Sequence, residues 1–137
     1  MSHALRLAEK GLYSTTPNPR VGCVITQNEQ IVGSGWHERA GQPHAEINAL
    51  RVAAVAARGA TAYITLEPCA HHGRTPPCTD ALIGAGIAKV IIAMEDPNPI
   101  VSGRGCAVLQ QAGIEVQTGL LQMDAQALNI GFVNRMI

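Results

Sequence analysis

The sequence predicts an α/β protein, a three-layer α/β/α sandwich on a mixed five-stranded sheet. Three observations lead there. Residues 21–26 and 30–35 are β-rich runs parted by Gln27, Asn28 and Glu29, the pattern of an antiparallel hairpin. From residue 44 onward, helical stretches alternate with β-rich runs, which calls for right-handed crossovers and parallel neighbours. Residues 88–94 are apolar almost without interruption, as a parallel strand covered on both faces must be.

Each element has its own signal. Residues 2–12 form an amphipathic helix with Ala4, Leu5, Leu7, Ala8 and Leu12 on its apolar side. Residues 15–19 hold two prolines and an Asn and form a loop. The hairpin follows, then a loop over 36–43. Residues 44–58 form a helix with Pro43 at its start and Gly59 past its end. Its middle is apolar on nearly every side except Arg51, so the helix is expected to be buried. Residues 61–66 are a strand, and 67–77 a loop with Pro68, Gly73, Pro76 and Pro77. A short helix over 78–85 stops at Gly86, and the strand 88–94 leads into Asp96-Pro97-Asn98-Pro99, a rigid loop. A helix over 105–112 closes at Gly113, a strand covers 114–118, and a last helix covers 121–135.

The 137 residues suit one domain, residues 1–137, with no repeat, linker or low-complexity stretch. Apolar residues make up 47% and charged residues 15%, which argues against disorder. With one Trp, one Phe and two Tyr, the core must be built from Ala, Val, Ile and Leu. A formal net charge of zero and no basic block speak against a nucleic-acid partner. Scarce aromatics also remove the platforms on which single strands stack. No apolar run approaches the ~18 residues of a membrane span. Residues 1–12 carry Arg6, Glu9 and Lys10 and lack the apolar stretch of a secretory signal, so a cytoplasmic protein is expected. Cys23, Cys69, Cys78 and Cys106 are then reduced thiols or metal ligands rather than disulfides.

The chemistry concentrates in His44-Ala45-Glu46, Pro68-Cys69 and Cys78. Imidazole and thiolate are the nitrogen and sulfur ligands zinc prefers, and three of them leave a fourth position open, where a structural site usually fills all four. Zinc lowers the pKa of a bound water to about 7. His44 opens a helix, Cys69 follows a strand end and Cys78 opens the next helix, so all three fall at one edge of the sheet, where open α/β sheets bind ligands. Positive helix N-termini favour thiolates. Glu46, close to the metal without binding it, suits a proton shuttle. His-x-Glu alone means little, as do two cysteines eight residues apart. The ordered combination matches the pattern of the zinc deaminases, His-x-Glu followed by Pro-Cys and a second Cys, and makes one zinc per chain the expectation.

Eight residues separate Cys69 from Cys78, where that general pattern has two. The segment Cys69-Ala-His-His-Gly-Arg-Thr-Pro-Pro-Cys78 resembles the riboflavin-biosynthesis pyrimidine deaminases, diaminohydroxyphosphoribosylaminopyrimidine deaminases with a cytidine deaminase-like fold. Thr16-Pro-Asn-Pro-Arg-Val-Gly22, Gly41-Gln-Pro-His-Ala-Glu46, Asp96-Pro-Asn-Pro99 and Ala112-Gly-Ile114 agree, so the resemblance covers about residues 17–132. It implies hydrolysis of the 2-amino group of 2,5-diamino-6-ribosylamino-4(3H)-pyrimidinone 5′-phosphate, a small phosphorylated aminopyrimidine, to the 5-amino-uracil ribosylamine phosphate and ammonia.

The same resemblance implies substrate contacts at Asn18, His37, Arg74, Asp96 and Asn98. Arg74 stands where some relatives have Lys, which keeps the charge and changes the geometry. These residues also admit plainer roles. Asn18 between prolines shapes a turn, Asp96 and Asn98 cap local backbone, Arg74 is a solvated loop charge and His37 a surface histidine. Glu67 is read as ordering its loop, Cys23 and Cys106 as core thiols. His71 matches a family position without an assigned role. In many bacterial relatives a pyridine-nucleotide reductase follows the deaminase. That part is expected to be missing from these 137 residues, which hold no Gly-rich dinucleotide fingerprint and hence no NADP site. A homo-oligomer is a further family expectation. The alternatives are a zinc deaminase of another specificity (cytosine, guanine, deoxycytidylate or tRNA adenosine) and a non-catalytic zinc module that binds a nucleotide.

Overall fold

The structure, a computed structural model, describes residues 1–10, 21–37, 43–70, 77–99 and 101–128. Its five strands are β1 (Gly22–Gln27), β2 (Gln30–Trp36), β3 (Thr61–Ile64), β4 (Lys89–Ile92) and β5 (Glu115–Thr118). Its helices are α1 (Ser2–Glu9), α2 (Ala45–Ala53), α3 (Cys78–Gly84), α4 (Arg104–Gln111) and α5 (Gln122–Leu128).

The strands join in one mixed sheet of order β2-β1-β3-β4-β5. β1 pairs antiparallel with both β2 and β3, whereas β3, β4 and β5 run parallel. The expected hairpin and parallel half are therefore both present. Asn28 and Glu29 turn the hairpin with φ of 53° and 66°, the left-handed conformations that a tight hairpin turn needs.

Alternation along the strands sorts the side chains into two cores. Cys23, Ile25, Ala62, Ile64, Val90 and Ile92 face α2, α3 and α4, which contribute Ala45, Ala49, Ala53, Leu82 and Leu109. Val24 faces the other way, against Ala4 and Leu7 of α1. Leu5 of α1 and Ala125 of α5 close the same face over Leu66, Ala93 and Met94. These are the three layers expected. Burying one Ile or Leu from water contributes roughly 1.5–3 kcal/mol, and Ile25, Ile64, Leu82, Ile92 and Leu109 are each fully buried.

Aromatic-poor packing lets α2 lie close on the sheet. Ala45, Ala49 and Ala53 recur every fourth residue and meet Gly33 and Gly35 of β2. A Cβ on Gly33 would strike the Ala49 carbonyl oxygen, and one on Gly35 would come within 2.6 Å of the Asn48 Cβ. α2 is thereby pressed on the strand that leads to Trp36 and His37.

Several boundaries differ from expectation. The helix expected over 44–58 has His44 as its N-cap and ends at Ala53. Ala54 then takes φ 50°, and a 3-10 turn carries Ala54–Ala57. Gln27 holds that turn, its Nε2 donating to the Arg58 carbonyl at 2.9 Å and the Ala56 carbonyl at 3.4 Å. Val52 and Val55 are 65% and 93% exposed, so this helix is buried on one face only. Apolar composition marks which residues tolerate burial, and the sheet covers only one stripe of a helix. Strands β3 and β4 end two residues earlier than expected, at Ile64 and Ile92. The last turn expected of α1 and the second half of the last helix lie outside the described residues. Among the described residues, no helix is long and apolar enough to cross a membrane.

Candidate zinc and catalytic site

The chemistry-bearing residues gather where β3 leaves the sheet and α2 and α3 begin. Thr65 anchors the exit of β3: its N–H donates to the Gly22 carbonyl at 3.1 Å, and its Oγ1 accepts from the Gly22 N–H at 3.0 Å. Glu67 and Pro68 are buried, and Cys69 follows, half-buried. Cys78 is the first residue of α3, with Pro77 as N-cap. The Cys78 N–H donates to the Cys69 sulfur at 3.3 Å, and the Thr79 N–H donates to the Cys69 carbonyl at 3.2 Å. Cys69 thus does for α3 what a capping side chain does, taking up amides that a helix start leaves free.

His44 caps α2 with extended backbone, φ −71° and ψ 165°, and its carbonyl accepts from the Asn48 N–H at 3.1 Å. The Asn48 Nδ2 donates to the Trp36 carbonyl at 2.9 Å and the Pro43 carbonyl at 3.4 Å. The Pro43 carbonyl also lies 3.3 Å from the Nδ1 of His37, whose ring meets that of His44 edge-on at 5.2 Å.

One ring nitrogen of His44 and the sulfurs of Cys69 and Cys78 lie within 4.8 Å of one another, with His44 Nδ1 3.2 Å from Cys78 Sγ. Ligands of one tetrahedral zinc, bound at about 2.0–2.3 Å, are spaced about 3.3–3.8 Å apart, so the trio fits the ion in donor type and is gathered close enough to share one. No fourth His, Cys, Asp or Glu donor joins the trio among the described residues. Electrostatics agree. Hydrogen bonding from Cys78, outweighing burial, pulls the Cys69 thiol down to about 4. The Cys78 thiol is raised by its hydrogen bond to Cys69 and by burial. His44 is raised by its hydrogen bond to Cys69.

Glu46 lies in the first turn of α2 and is 3% exposed. Burial pushes its carboxyl above the usual carboxylate range, and its Oε1 has no hydrogen-bond partner among the described residues. A buried oxygen without a partner is costly to keep, and here it sits beside a set of metal-type donors.

The other expected contacts divide. Asn18 and Arg74 lie outside the described residues, as does His71. His37 is no surface histidine: it is 4% exposed, burial holds its ring below the usual range, and its Nε2 lacks a partner among the described residues. Asp96 and Asn98 follow β4, and the Asn98 N–H donates to Asp96 Oδ1 at 2.9 Å, the local turn that Asx residues form. Asp96 also lines a cleft of about 140 Å³ together with Cys69, Ala70 and Arg104, which joins this loop to the trio. Arg104 was not singled out from the sequence, where thirty-five positions separate it from Cys69 and nothing local marks it. Cys23 and Cys106 are buried free thiols, as expected of core residues. Glu67 orders its loop, as expected, and reaches further than a loop residue need.

Residues 1–94 match the family described as the cytidine and deoxycytidylate deaminase zinc-binding region. The chain belongs to this family of zinc-binding deaminases and, within it, to the group of riboflavin-biosynthesis pyrimidine deaminases. Over 136 residues it is 61% identical to the riboflavin biosynthesis protein RibD of Escherichia coli K12, across 99% of this chain and 37% of that protein. It is 55% identical to the diaminohydroxyphosphoribosylamino-pyrimidine deaminase of Buchnera aphidicola subsp. Schizaphis graminum, across 99% of this chain and 92% of that protein. RibD of Acinetobacter baumannii superposes with a TM-score of 0.97 at 56% identity, over 98% of this chain and 38% of that one. The Rib2 deaminase of Aspergillus oryzae, solved in complex with DARIPP, superposes with a TM-score of 0.72 at 28% identity, over 98% of this chain and 90% of that one. The chain thus spans little more than a third of the length of the RibD proteins it matches.

Proposed function

We propose that this chain hydrolyses the 2-amino group of 2,5-diamino-6-ribosylamino-4(3H)-pyrimidinone 5′-phosphate, giving 5-amino-6-(5-phosphoribosylamino)uracil and ammonia, an early step of riboflavin biosynthesis. The observation that carries this is Glu46: a buried carboxyl held above its usual range, with an oxygen that has no partner among the described residues, beside a His/Cys/Cys trio. The group to which the chain belongs supports the choice of substrate.

His44, Cys69 and Cys78 hold one zinc. When bound, zinc supplies Lewis acidity and makes hydroxide available near neutral pH. The proton traffic falls to the chain itself. Glu46 Oε1 accepts a proton from the attacking water and hands it to a ring nitrogen of the pyrimidine. It then takes the remaining proton of the added hydroxyl and delivers it to the 2-amino group, which leaves as ammonia as its C–N bond breaks and the ring carbonyl forms. Its raised pKa suits both directions of transfer, because a group that is neither a strong acid nor a strong base at working pH can take and return a proton. His37 orients the substrate from the His44 side. Asp96 and Asn98 reach it from the loop after β4, and Asn18 and Arg74 complete the contacts, Arg74 forking onto the phosphate. The unit works beside a reductase part, as the greater length of the RibD relatives suggests, and as a homo-oligomer in the cytoplasm.

The test is ammonia release from the diaminopyrimidinone ribosylamine phosphate by purified protein of measured zinc content, with cytidine and guanine as controls. Release from the first substrate alone, at about one zinc per chain, is expected. Faster release from a control would reassign the specificity, and no release from any substrate at full zinc would leave a non-catalytic zinc module.

A further inference from the structure

Glu67 stands two residues before Cys69 and is 6% exposed, yet it is not one of the metal-type trio. Among the described residues, its carboxylate instead accepts three backbone N–H groups. Oε1 takes those of Asp96 at 2.9 Å and Gly103 at 3.0 Å, and Oε2 takes that of Cys106 at 3.2 Å. Its own N–H donates to the Met94 carbonyl at 2.9 Å. By backbone and side chain together, Glu67 ties the exit of β3 to the exit of β4.

The donors lie at the Asp96–Asn98 turn and at the start of α4, with Gly103 just before the helix and Cys106 in its first turn. Gly103 is the N-cap of α4 with φ 82°, a left-handed conformation that suits glycine. Gly105 lacks the Cβ that would strike the Pro68 carbonyl oxygen and come within 3.0 Å of the Glu67 Cγ. A negative carboxylate at the positive end of a helix is favourable, and three donors on two oxygens leave it little rotational freedom. Asn98 is fixed in turn by Asp96 Oδ1, so Glu67, two residues before Cys69 along the backbone, is tied by hydrogen bonds to the Asp96–Asn98 turn.

We propose that Glu67 is a positioning residue that sets the distance and orientation of the Asp96–Asn98 turn relative to Cys69, and so governs how the pyrimidine is held against the site. This rests on the assignment of Asp96 and Asn98 as substrate contacts. Glu67→Gln keeps the size of the side chain but turns one acceptor into a donor that faces a backbone N–H. Its effect belongs on substrate binding rather than on metal or proton transfer.

The experiment uses the zinc-loaded chain and measures KM, kcat, zinc content and Tm for Glu67→Gln, Asn98→Ala and the double variant. Asn98→Ala raises KM if the turn contacts substrate. Glu67→Gln is expected to raise KM roughly 10- to 100-fold, the worth of hydrogen bonds to a charged group, with zinc at about one per chain and kcat changed much less. In the Asn98→Ala background the same substitution should add little to KM, since both act through one turn. Gly105→Ala, which keeps the carboxylate but pushes α4 off it, is expected to raise KM in the same direction and decides the matter if Glu67→Gln folds poorly. An unchanged KM in both Glu67→Gln and Gly105→Ala, while Asn98→Ala raises it, overturns the positioning role alone. Full additivity with Asn98→Ala, or a lower Tm and kcat at native KM, also overturns it, since a purely structural role predicts those. An unchanged KM in Asn98→Ala overturns the substrate assignment itself, and this inference with it.

Discussion

Replacing Glu46 by Gln separates proton transfer from metal binding. Gln has nearly the same shape, so the first turn of α2 and its packing on β2 are kept. The variant can neither accept nor return a proton. General acid–base transfer by one positioned group is worth about 10²–10⁴ in rate, and Glu46 is assigned more than one transfer in each turnover. A fall in kcat of at least ~10³ is therefore expected, about 4 kcal/mol of transition-state stabilisation at 1.36 kcal/mol per tenfold. Zinc content should stay at about one per chain, because Glu46 lies outside the His44, Cys69 and Cys78 trio. Stability gives an independent reading. Burial raises the Glu46 carboxyl above its ordinary value of 4.5, so the folded state binds the proton more tightly than the unfolded state does. Stability from this group is present in full below that value and is lost as pH rises toward the folded pKa. In metal-free protein, native Tm should fall as pH rises through that window, and Glu46→Gln should remove this part of the fall. Ammonia-release kinetics, metal analysis and melting curves against pH are the assays. Activity within about tenfold of native at full zinc would refute the assigned role, and so would loss of zinc from the variant.

Cys78→Ser should lower zinc content well below one per chain and remove activity with it, as metal analysis after dialysis against a mild chelator would show; native metal content would count against Cys78 as a ligand. Metal-free protein at pH 7 should react with an alkylating agent first at Cys69, pulled down to about 4, and zinc should protect it. Cys106, buried and pushed up to about 12, should react only after denaturation, and peptide mapping distinguishes the two. Gly33→Ala places a methyl against the Ala49 carbonyl and Ala53, and overpacking of that kind costs about 1–3 kcal/mol, a Tm lower by roughly 4–12 °C. Thr65→Val leaves the Gly22 N–H without its acceptor in a buried place and should cost about 1–3 kcal/mol by denaturant titration.

The sequence by itself determined the order of elements, the mixed five-stranded sheet between helices and the ligand-type residues. These depend on local patterning: glycines that stop helices, the turn between β1 and β2, and apolar periods of two or of three to four residues. His44, Cys69 and Cys78 were legible because His44 and Cys78 stand at helix starts and Cys69 follows a strand end, and each of these places is marked by its own neighbours. Long-range agreement was needed for the rest. Nothing near Glu67 announces that its three donors lie 29, 36 and 39 residues further along the chain. Nor does the segment before α2 reveal that His37 packs under His44 rather than facing water. The apolar run over 44–58 promised a helix buried all round, yet Val52 in α2 and Val55 in the turn after it are exposed because the sheet covers a single stripe. Composition states what each residue can tolerate. Only the packing of strand on strand and helix on sheet decides which neighbours a side chain meets, because contacts between distant segments depend on the whole fold rather than on local propensity.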